Sequence, residues 1–225
     1  MRECVLIIVA HSDDECISMA GTIRKHTKKG DKVVVVSMTD GVGSRDDANQ
    51  NKKSERKNSS LVASKILGFE WGDCYDFKDN AMDSYPLLDV VKVIEKVKKK
   101  YEPTLVYTHS GTDLNVDHVV VSNAVLTAFR PEPNENCKEI RLFEVASATD
   151  YGNVLKKRIF TPNLFIDITN EWHEKSDSLE AYASEMKDYP HSRSVEGIKN
   201  LSKIRGNQVG LEFAEAFEVI RKIEK

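Results

Sequence analysis

The chain has 225 residues, of which 40% are hydrophobic and 31% charged, with 33 Lys and Arg against 36 Asp and Glu for a net charge of −3. That balance describes a globular protein with its own core, excludes disorder as the main state, and disfavours nucleic acid as a partner, since neutralising phosphates needs a basic excess. The longest apolar runs, Val5–Ala10 and Val33–Val36, fall far short of the ~18 residues of a membrane span.

Cys4–Ala10 is a continuous β-branched run that suits a strand buried on both faces. Glu15–Lys29 has Ile17, Ala20 and Ile23 at helical spacing, and Lys28-Lys29-Gly30 is a helix stop. Lys32–Met38 is a second buried strand, closed by Thr39-Asp40-Gly41. Val42–Lys53 is polar and aperiodic and reads as a mobile loop, followed by a helix over Glu55–Leu67. Pro86–Tyr101 is a further helix, Pro103–Thr108 a strand and Asp117–Phe129 a helix. Later, Ile140–Ala146 and Leu164–Ile168 read as strands, Glu171–Lys187 and Ser194–Ile204 as helices, and Phe213–Ile220 as a last strand. The β-α-β-α alternation predicts an α/β, Rossmann-like three-layer sandwich with a mostly parallel sheet, in one domain spanning residues 1–225. Cys4, Cys16, Cys74 and Cys137 form no CxxC pair and read as reduced thiols. With His11, Asp13 and Asp14 interrupting the first apolar stretch, no signal-peptide layout is seen, and a cytoplasmic location is expected.

Ala10-His11-Ser12-Asp13-Asp14-Glu15 follows a strand and opens a helix, the rim where parallel sheets bind ligands. Imidazole and carboxylate together suit Zn²⁺ or a related divalent ion, with His11 and Asp14 as two ligands. The competing reading is an acid-rich helix start, with Ser12 or Asp13 as cap. A second cluster, His109-Ser110-Gly111-Thr112-Asp113-Leu114-Asn115-Val116-Asp117-His118, also bridges a strand end and a helix start. It supplies His118 as third ligand and Asp117 as an outer carboxylate that holds a loop or a neighbouring side chain. Asp40 faces the same rim, either as a substrate contact or as an Asp-Gly turn residue. Arg56 suits an anionic or hydroxyl-rich substrate, or solvent. His191 and Arg193, in a loop before a helix, read by themselves as surface residues, and His26 and His173 receive no role. Neither GxGxxG nor GxxxxGK[ST] occurs, which gives no support to a dinucleotide or P-loop site.

Ala10–Glu15 resembles the AHPDDE signature of the PIG-L/LmbE-like N-acetylglucosaminyl deacetylases, and Val116-Asp117-His118 resembles the end of their HPDH signature. Thr39-Asp40-Gly41, Arg56 eleven residues before Leu67-Gly68, and the closing Arg205-Gly206…Gly210…Ala214–Phe217 extend the likeness over nearly the whole chain. The resemblance implies zinc-dependent hydrolysis of an N-acetylated amino sugar, as a free sugar, nucleotide conjugate or glycoside. It makes His11, Asp14 and His118 the metal ligands and Asp13 the general base, places Arg56, His191 and Arg193 in the substrate pocket, and makes a homo-oligomer plausible. Ser12 replaces the signature proline, and Asn115 replaces the first histidine of HPDH, leaving Asn115, His109 or His191 to hold the oxyanion. Ser59 stands where many members carry a glutamate.

An amide is a poor electrophile, so its hydrolysis at neutral pH needs an activated water and charge stabilisation. A zinc ion and the Asp13 carboxylate together meet that need. Two rivals remain at this stage. One is a metal-dependent phosphoester hydrolase, which wants two ions and more carboxylates. The other is a non-catalytic module stapled by a metal, which wants a fourth protein ligand.

Overall fold

The computed structural model describes residues 2–45, 48–152 and 158–224. In chain order the elements are β1 (Cys4–Val9), α1 (Asp14–Lys29), β2 (Lys32–Thr39), α2 (Gln50–Leu67), β3 (Glu70–Phe77), α3 (Leu87–Tyr101), β4 (Leu105–His109), α4 (Val116–Ala128), β5 (Glu139–Phe143), α5 (Thr149–Gly152), β6 (Leu164–Asp167), α6 (Trp172–Ala181), α7 (Val195–Asn207) and β7 (Ala214–Lys222). Short 3-10 turns lie at Met82–Ser84 and Thr169–Glu171.

The seven strands form one sheet in the order β3-β2-β1-β4-β5-β7-β6. Its first five strands are parallel, and β7 runs antiparallel to both neighbours. This is the α/β, mostly parallel, Rossmann-like architecture that the alternation predicts. Val5, Ile7 and Val9 pack with α1, α2, α6 and α7 on one face, through Ile17, Ala63, Leu179 and Ile198. Leu6, Ile8 and Ala10 pack with α3 and α4 on the other, through Ile94 and Val125. Alternation along a strand that is apolar at every position is what lets β1 serve both layers.

Chain order reverses between β1 and β4, each of which leads into a helix on the opposite layer. The crevice outside their carboxyl ends is therefore a topological switch point. His11 leaves β1 there, and the loop that carries His118 leaves β4 there.

Several boundaries differ from the sequence reading. The sequence reading places no strand at β3, because Glu70–Phe77 is an edge strand with several polar, solvent-facing side chains instead of a buried apolar run. α2 begins at Gln50, five residues before the expected start, since Asn49 caps it by accepting from Lys52 N at 3.0 Å; its first turns have no apolar stripe to announce them. Within the expected loop, residues 46 and 47 lie outside the described residues. The expected helix Glu171–Lys187 is regular only over Trp172–Ala181, and the segment after it turns inward, burying Tyr182 and Glu185. Among the described residues no helix is long and apolar enough to cross a membrane.

α1 is kinked at Met19 (φ −144°, ψ 25°), and a buried ion pair serves both halves of the break. Lys175 Nζ donates to Ile17 O at 3.2 Å and Ser18 O at 3.4 Å, while Glu215 accepts from Gly21 N at 3.0 Å and Thr22 N at 2.7 Å. The two charges meet at 2.7 Å. Gly21 is required at the bend, because a Cβ there would lie 2.6 Å from Ile168 Cγ2. Lys175→Met leaves Glu215 buried without its counter-charge and is expected to cost about 3–5 kcal/mol. Urea unfolding should show this as a lower midpoint with an unchanged slope.

Candidate metal centre and cleft

The turn between β1 and α1 is held by Asp14 N on His11 O (3.3 Å) and by His11 N on Asp14 Oδ2 (3.0 Å). Asp13 occupies the helix N-cap position, yet its side chain caps nothing. At the second strand end Asn115 does cap its helix, its Oδ1 accepting from Asp117 N at 2.9 Å and His118 N at 3.4 Å. The two helix starts point their first turns at one another across the switch point.

Three atoms converge there. His11 Nδ1 lies 3.3 Å from Asp14 Oδ2 and 3.3 Å from His118 Nε2, and His118 Nε2 lies 3.4 Å from Asp14 Oδ2. A tetrahedral ion with N and O ligands at about 2.0–2.2 Å separates them by about 3.3–3.6 Å, so this triangle fits such an ion. Each imidazole is oriented from behind by a carboxylate. His11 Nε2 faces Asp117 Oδ2 at 3.1 Å and Asp79 Oδ1 at 3.2 Å, and His118 Nδ1 faces Asp113 Oδ2 at 2.8 Å. A carboxylate at the outer nitrogen assigns the proton to that nitrogen and leaves the inner lone pair free. Thr149 Oγ1 donates to Asp113 Oδ1 and completes the second of these chains.

The electrostatics agree with the geometry. Burial works against the charged form of His11, but Asp117, Asp14 and Asp79 more than offset it and hold the group well above the ordinary histidine range. His118 is likewise raised against its burial by Asp14 and Asp113. Asp14 is held well below the ordinary carboxylate range, its own burial overcome by the flanking histidines. The pocket is built for positive charge at its centre. Asp14 Oδ1 is buried without a hydrogen-bond partner among the described residues. Residues His11, Asp14 and His118 thus fit a divalent cation on both counts.

Asp117 also accepts from Asn80 N (2.7 Å) and Met82 N (2.9 Å), tying the segment after β3 to His11. Asp79 accepts from Ser44 N (3.2 Å) and Ser44 Oγ (2.8 Å), and the nearby His11 holds it at about 2 in spite of its burial. Although His11, Asp79 and Asp117 form a second metal-competent group, the two carboxylates are already engaged with backbone amides.

Above the triangle opens a polar cleft lined by His11, Asp13, Asn80, Asn115, Arg56 and Arg193, with Arg45 and Glu185 at its side. The Asp13 oxygens are buried and make ion pairs without directed hydrogen bonds: Arg56 Nη2 lies 2.9 Å from Oδ1, and Arg193 Nη1 lies 3.7 Å from Oδ2. Burial pushes the Asp13 carboxyl up and Arg56 pulls it back. The remaining edges of Arg56 reach Glu185 Oε2 at 2.6 Å and Ser12 Oγ at 3.3 Å. With every edge of its guanidinium on a group of the chain itself, Arg56 orients Asp13 as seen here. Arg56→Lys gives up this fork of contacts and leaves Asp13 or Glu185 with only its outer partner, Arg193 or Arg45. It is expected to lower kcat more than it raises KM, which steady-state kinetics would check.

Other sequence candidates are placed differently. Asp40 forms an Asx turn, its Oδ1 accepting from Val42 N (3.0 Å) and Gly43 N (2.9 Å), and pairs with Lys53 outside the cleft. His109 is fully buried behind the triangle, stacked on His118 with ring centroids 3.9 Å apart, and its Nε2 accepts from Ala10 N at 2.8 Å. Burial and the His118 charge hold it well below the usual range, so it is a neutral backing ring without access to the cleft. His191 Nδ1 accepts from Arg193 N at 3.0 Å and is not among the cleft-lining residues. Asn115 turns its Nδ2 toward Asn80 Oδ1 at 3.3 Å, at the cleft wall.

Four residues of the site carry no role in the sequence reading. Asp79 and Asn80 follow the strand that was not anticipated. Asp113 stands five residues before His118, a spacing that points to it only once the loop is known to fold back. Glu185 lies in the overextended helix. Glu15 is also drawn in: it accepts from Asp13 N at 3.0 Å and from Tyr182 Oη at 2.9 Å, and burial, followed by the Asp13 charge, pushes it up to about 8.

The chain belongs to the PIG-L: GlcNAc-PI de-N-acetylase family, whose model matches residues 6–129 and so takes in both strand-end clusters. It is similar to the probable N-acetyl-alpha-D-glucosaminyl L-malate deacetylase 2 of Bacillus anthracis, 26% identical over an alignment of 188 residues that covers 80% of this chain and 80% of that one. Among solved structures it is similar to the N,N'-diacetylchitobiose deacetylase of Pyrococcus horikoshii, with TM-score 0.78 and 20% identity over 96% of this chain and 83% of that one. It is equally similar in fold to the 4-carboxy-2-hydroxymuconate hydratase of Pseudomonas putida KT2440, with TM-score 0.78 and 18% identity over 100% of this chain and 98% of that one. At such identity these structures speak for the fold alone, and a deacetylase and a hydratase share it; the reaction has to be argued from the site.

Proposed function

We propose that the chain is a zinc-dependent amide hydrolase that removes the N-acetyl group from a GlcNAc-type amino sugar or its conjugate. The observation that carries this reading is the His11–Asp14–His118 triangle with the Asp13 carboxylate beside it at the floor of a polar cleft. Family membership and the deacetylase named among the relatives support the amide as substrate. A divalent cation held by the triangle supplies Lewis-acid chemistry, making water nucleophilic near neutral pH and polarising the amide carbonyl. Asp13 accepts the proton of the attacking water and delivers it to the departing amine. Arg56 holds Asp13 in place for both transfers, and Asp117 and Asp113 keep the two imidazoles aimed inward. Asn115 offers its Nδ2 to the oxyanion, a kind of contact worth about 3–4 kcal/mol. Arg193 lines the same wall.

The test is acetate release by the zinc-supplied protein from N-acetylglucosamine, its methyl glycoside and its malate glycoside. Stoichiometric acetate and free amine, lost with a chelator and restored by zinc, support the reading. A chain that binds one ion yet releases no acetate from any of them overturns it. Two ions per chain with phosphomonoester cleavage would favour the phosphoester reading instead.

A further inference from the structure

Ser44, Asp79, Asn80 and Asn115 all line the metal cleft, and their side chains form one run of hydrogen bonds whose direction is fixed at both ends. At one end Asp79 Oδ2 accepts from the Ser44 amide at 3.2 Å and from the Ser44 hydroxyl at 2.8 Å. A hydroxyl has a single proton, so with that proton on Asp79 the Ser44 oxygen can only accept. Asn80 therefore presents its Nδ2, which donates to Ser44 Oγ at 3.0 Å and to Asp79 Oδ1 at 3.3 Å. At the other end Asn115 Oδ1 accepts from the helix amides of Asp117 and His118, which can only donate, so its Nδ2 faces away from the helix. The two carboxamides meet with Asn115 Nδ2 donating to Asn80 Oδ1 at 3.3 Å. Turning Asn80 over would set oxygen against oxygen at Ser44 and Asp79, and NH₂ against NH₂ at Asn115.

The backbone prepares Asn80 for this place. Its φ is 53°, a left-handed conformation that asparagine adopts more readily than most residues with a Cβ. Its N–H donates to Asp117 Oδ2 at 2.7 Å, which anchors the residue to the carboxylate behind His11 and leaves the side chain for the wall. We propose that Asn80 is a positioning residue that takes one of the two Asn115 Nδ2 protons and so aims the other into the cleft, toward the oxyanion. An amide group is planar, so fixing one proton fixes the direction of its partner. Without Asn80 the carboxamide is held only by its capping oxygen, and the donor is no longer set in place before the reaction begins. The inference rests on the deacetylase reading for the oxyanion; the contact between the two asparagines does not.

Two substitutions separate positioning from folding. Asn80→Gly removes the carboxamide while keeping a residue that tolerates the left-handed backbone, and Asn115→Ser removes the donor while keeping an N-cap. With the methyl glycoside of N-acetylglucosamine, Asn80→Gly is expected to lower kcat about five- to tenfold, the order of one neutral hydrogen bond, with KM nearly unchanged and one zinc ion retained. In the Asn115→Ser background the same change leaves kcat as it is, since no donor remains to be positioned. An unchanged kcat in Asn80→Gly, or an equal loss in both backgrounds, overturns the inference while wild-type turnover upholds the deacetylase reading. The second readout is independent of turnover. In the chain labelled with isotopic asparagine, the side-chain amide NMR signals that vanish in Asn115→Ser belong to Asn115. They are expected to move in Asn80→Gly and in Ser44→Ala, which reaches Asn115 through Asn80. Asn115 signals that stay in place in either variant overturn the inference. A wild-type chain that releases no acetate removes the deacetylase reading alone, and these signals then decide for Asn80.

Discussion

Asp13→Asn is expected to lower kcat by about 10²–10⁴-fold, the range of a lost general base, while the chain keeps one metal ion. Asp13 is adjacent in sequence to the ligand Asp14 but is not one of the three converging atoms, so its removal spares the triangle. Its oxygens have ion-pair partners and no directed hydrogen bond, leaving lone pairs available to a water proton. Burial raises the Asp13 carboxyl from its ordinary range, against the pull of Arg56, which moves it toward the working pH of a general base. The amide is nearly the same shape and leaves Glu185 to balance Arg56. The unfolding midpoint should therefore change little, separating a chemical loss from a folding loss. Acetate release measured alongside metal content checks both halves; wild-type turnover in the Asn variant would move the base elsewhere.

Asp13 is legible as a candidate base through the signature it resembles, whereas no comparable signal in the sequence marks Glu185. β1, β2 and β4 are buried on both faces, so their apolar runs stand out, and the polar residues that end them fall on the ligand-binding rim. His11, Asp14 and His118 were legible for that reason, as was Asp117 beside them. β3 has no such run, and its omission hid Asp79 and Asn80, which reach the site only because the segment after β3 returns to Asp117. Glu185 falls in the expected helix Glu171–Lys187, a stretch without a breaker, yet the regular helix ends at Ala181 and Glu185 pairs with Arg56 at the cleft. For Arg56 the sequence indicates position without partners: substrate or solvent are its two expected contacts, and the structure adds Asp13, Glu185 and Ser12 around the guanidinium. Asn115 shows the opposite case. As a departure from a signature it gives up a cation but keeps a donor for the oxyanion, and because Asn is a strong N-cap, using its oxygen for the cap fixes which face of the amide reaches the cleft.

His118→Ala is expected to abolish both metal binding and turnover, and its outcome bears on the whole site. His118 is fully buried, so no other side chain can swing in from solvent to replace it. Removing the ring leaves His11 and Asp14 as two ligands where a catalytic zinc site needs three. It also strands Asp113, whose burial already raises it and whose Oδ2 would lose the partner at 2.8 Å. Asp113→Ala provides the graded companion. It keeps all three converging atoms but frees the His118 ring to turn and change tautomer, so metal affinity should fall by about 10–100-fold and excess zinc should restore activity. Zinc titration by calorimetry on both variants distinguishes the two losses. If His118→Ala still bound one equivalent tightly, the ion would have to sit at His11, Asp79 and Asp117, the only other described group that does not use His118. The attacking water would then be on the wrong side of His11 from Asp13, and the assignment of Asp13 as base would fall with the site.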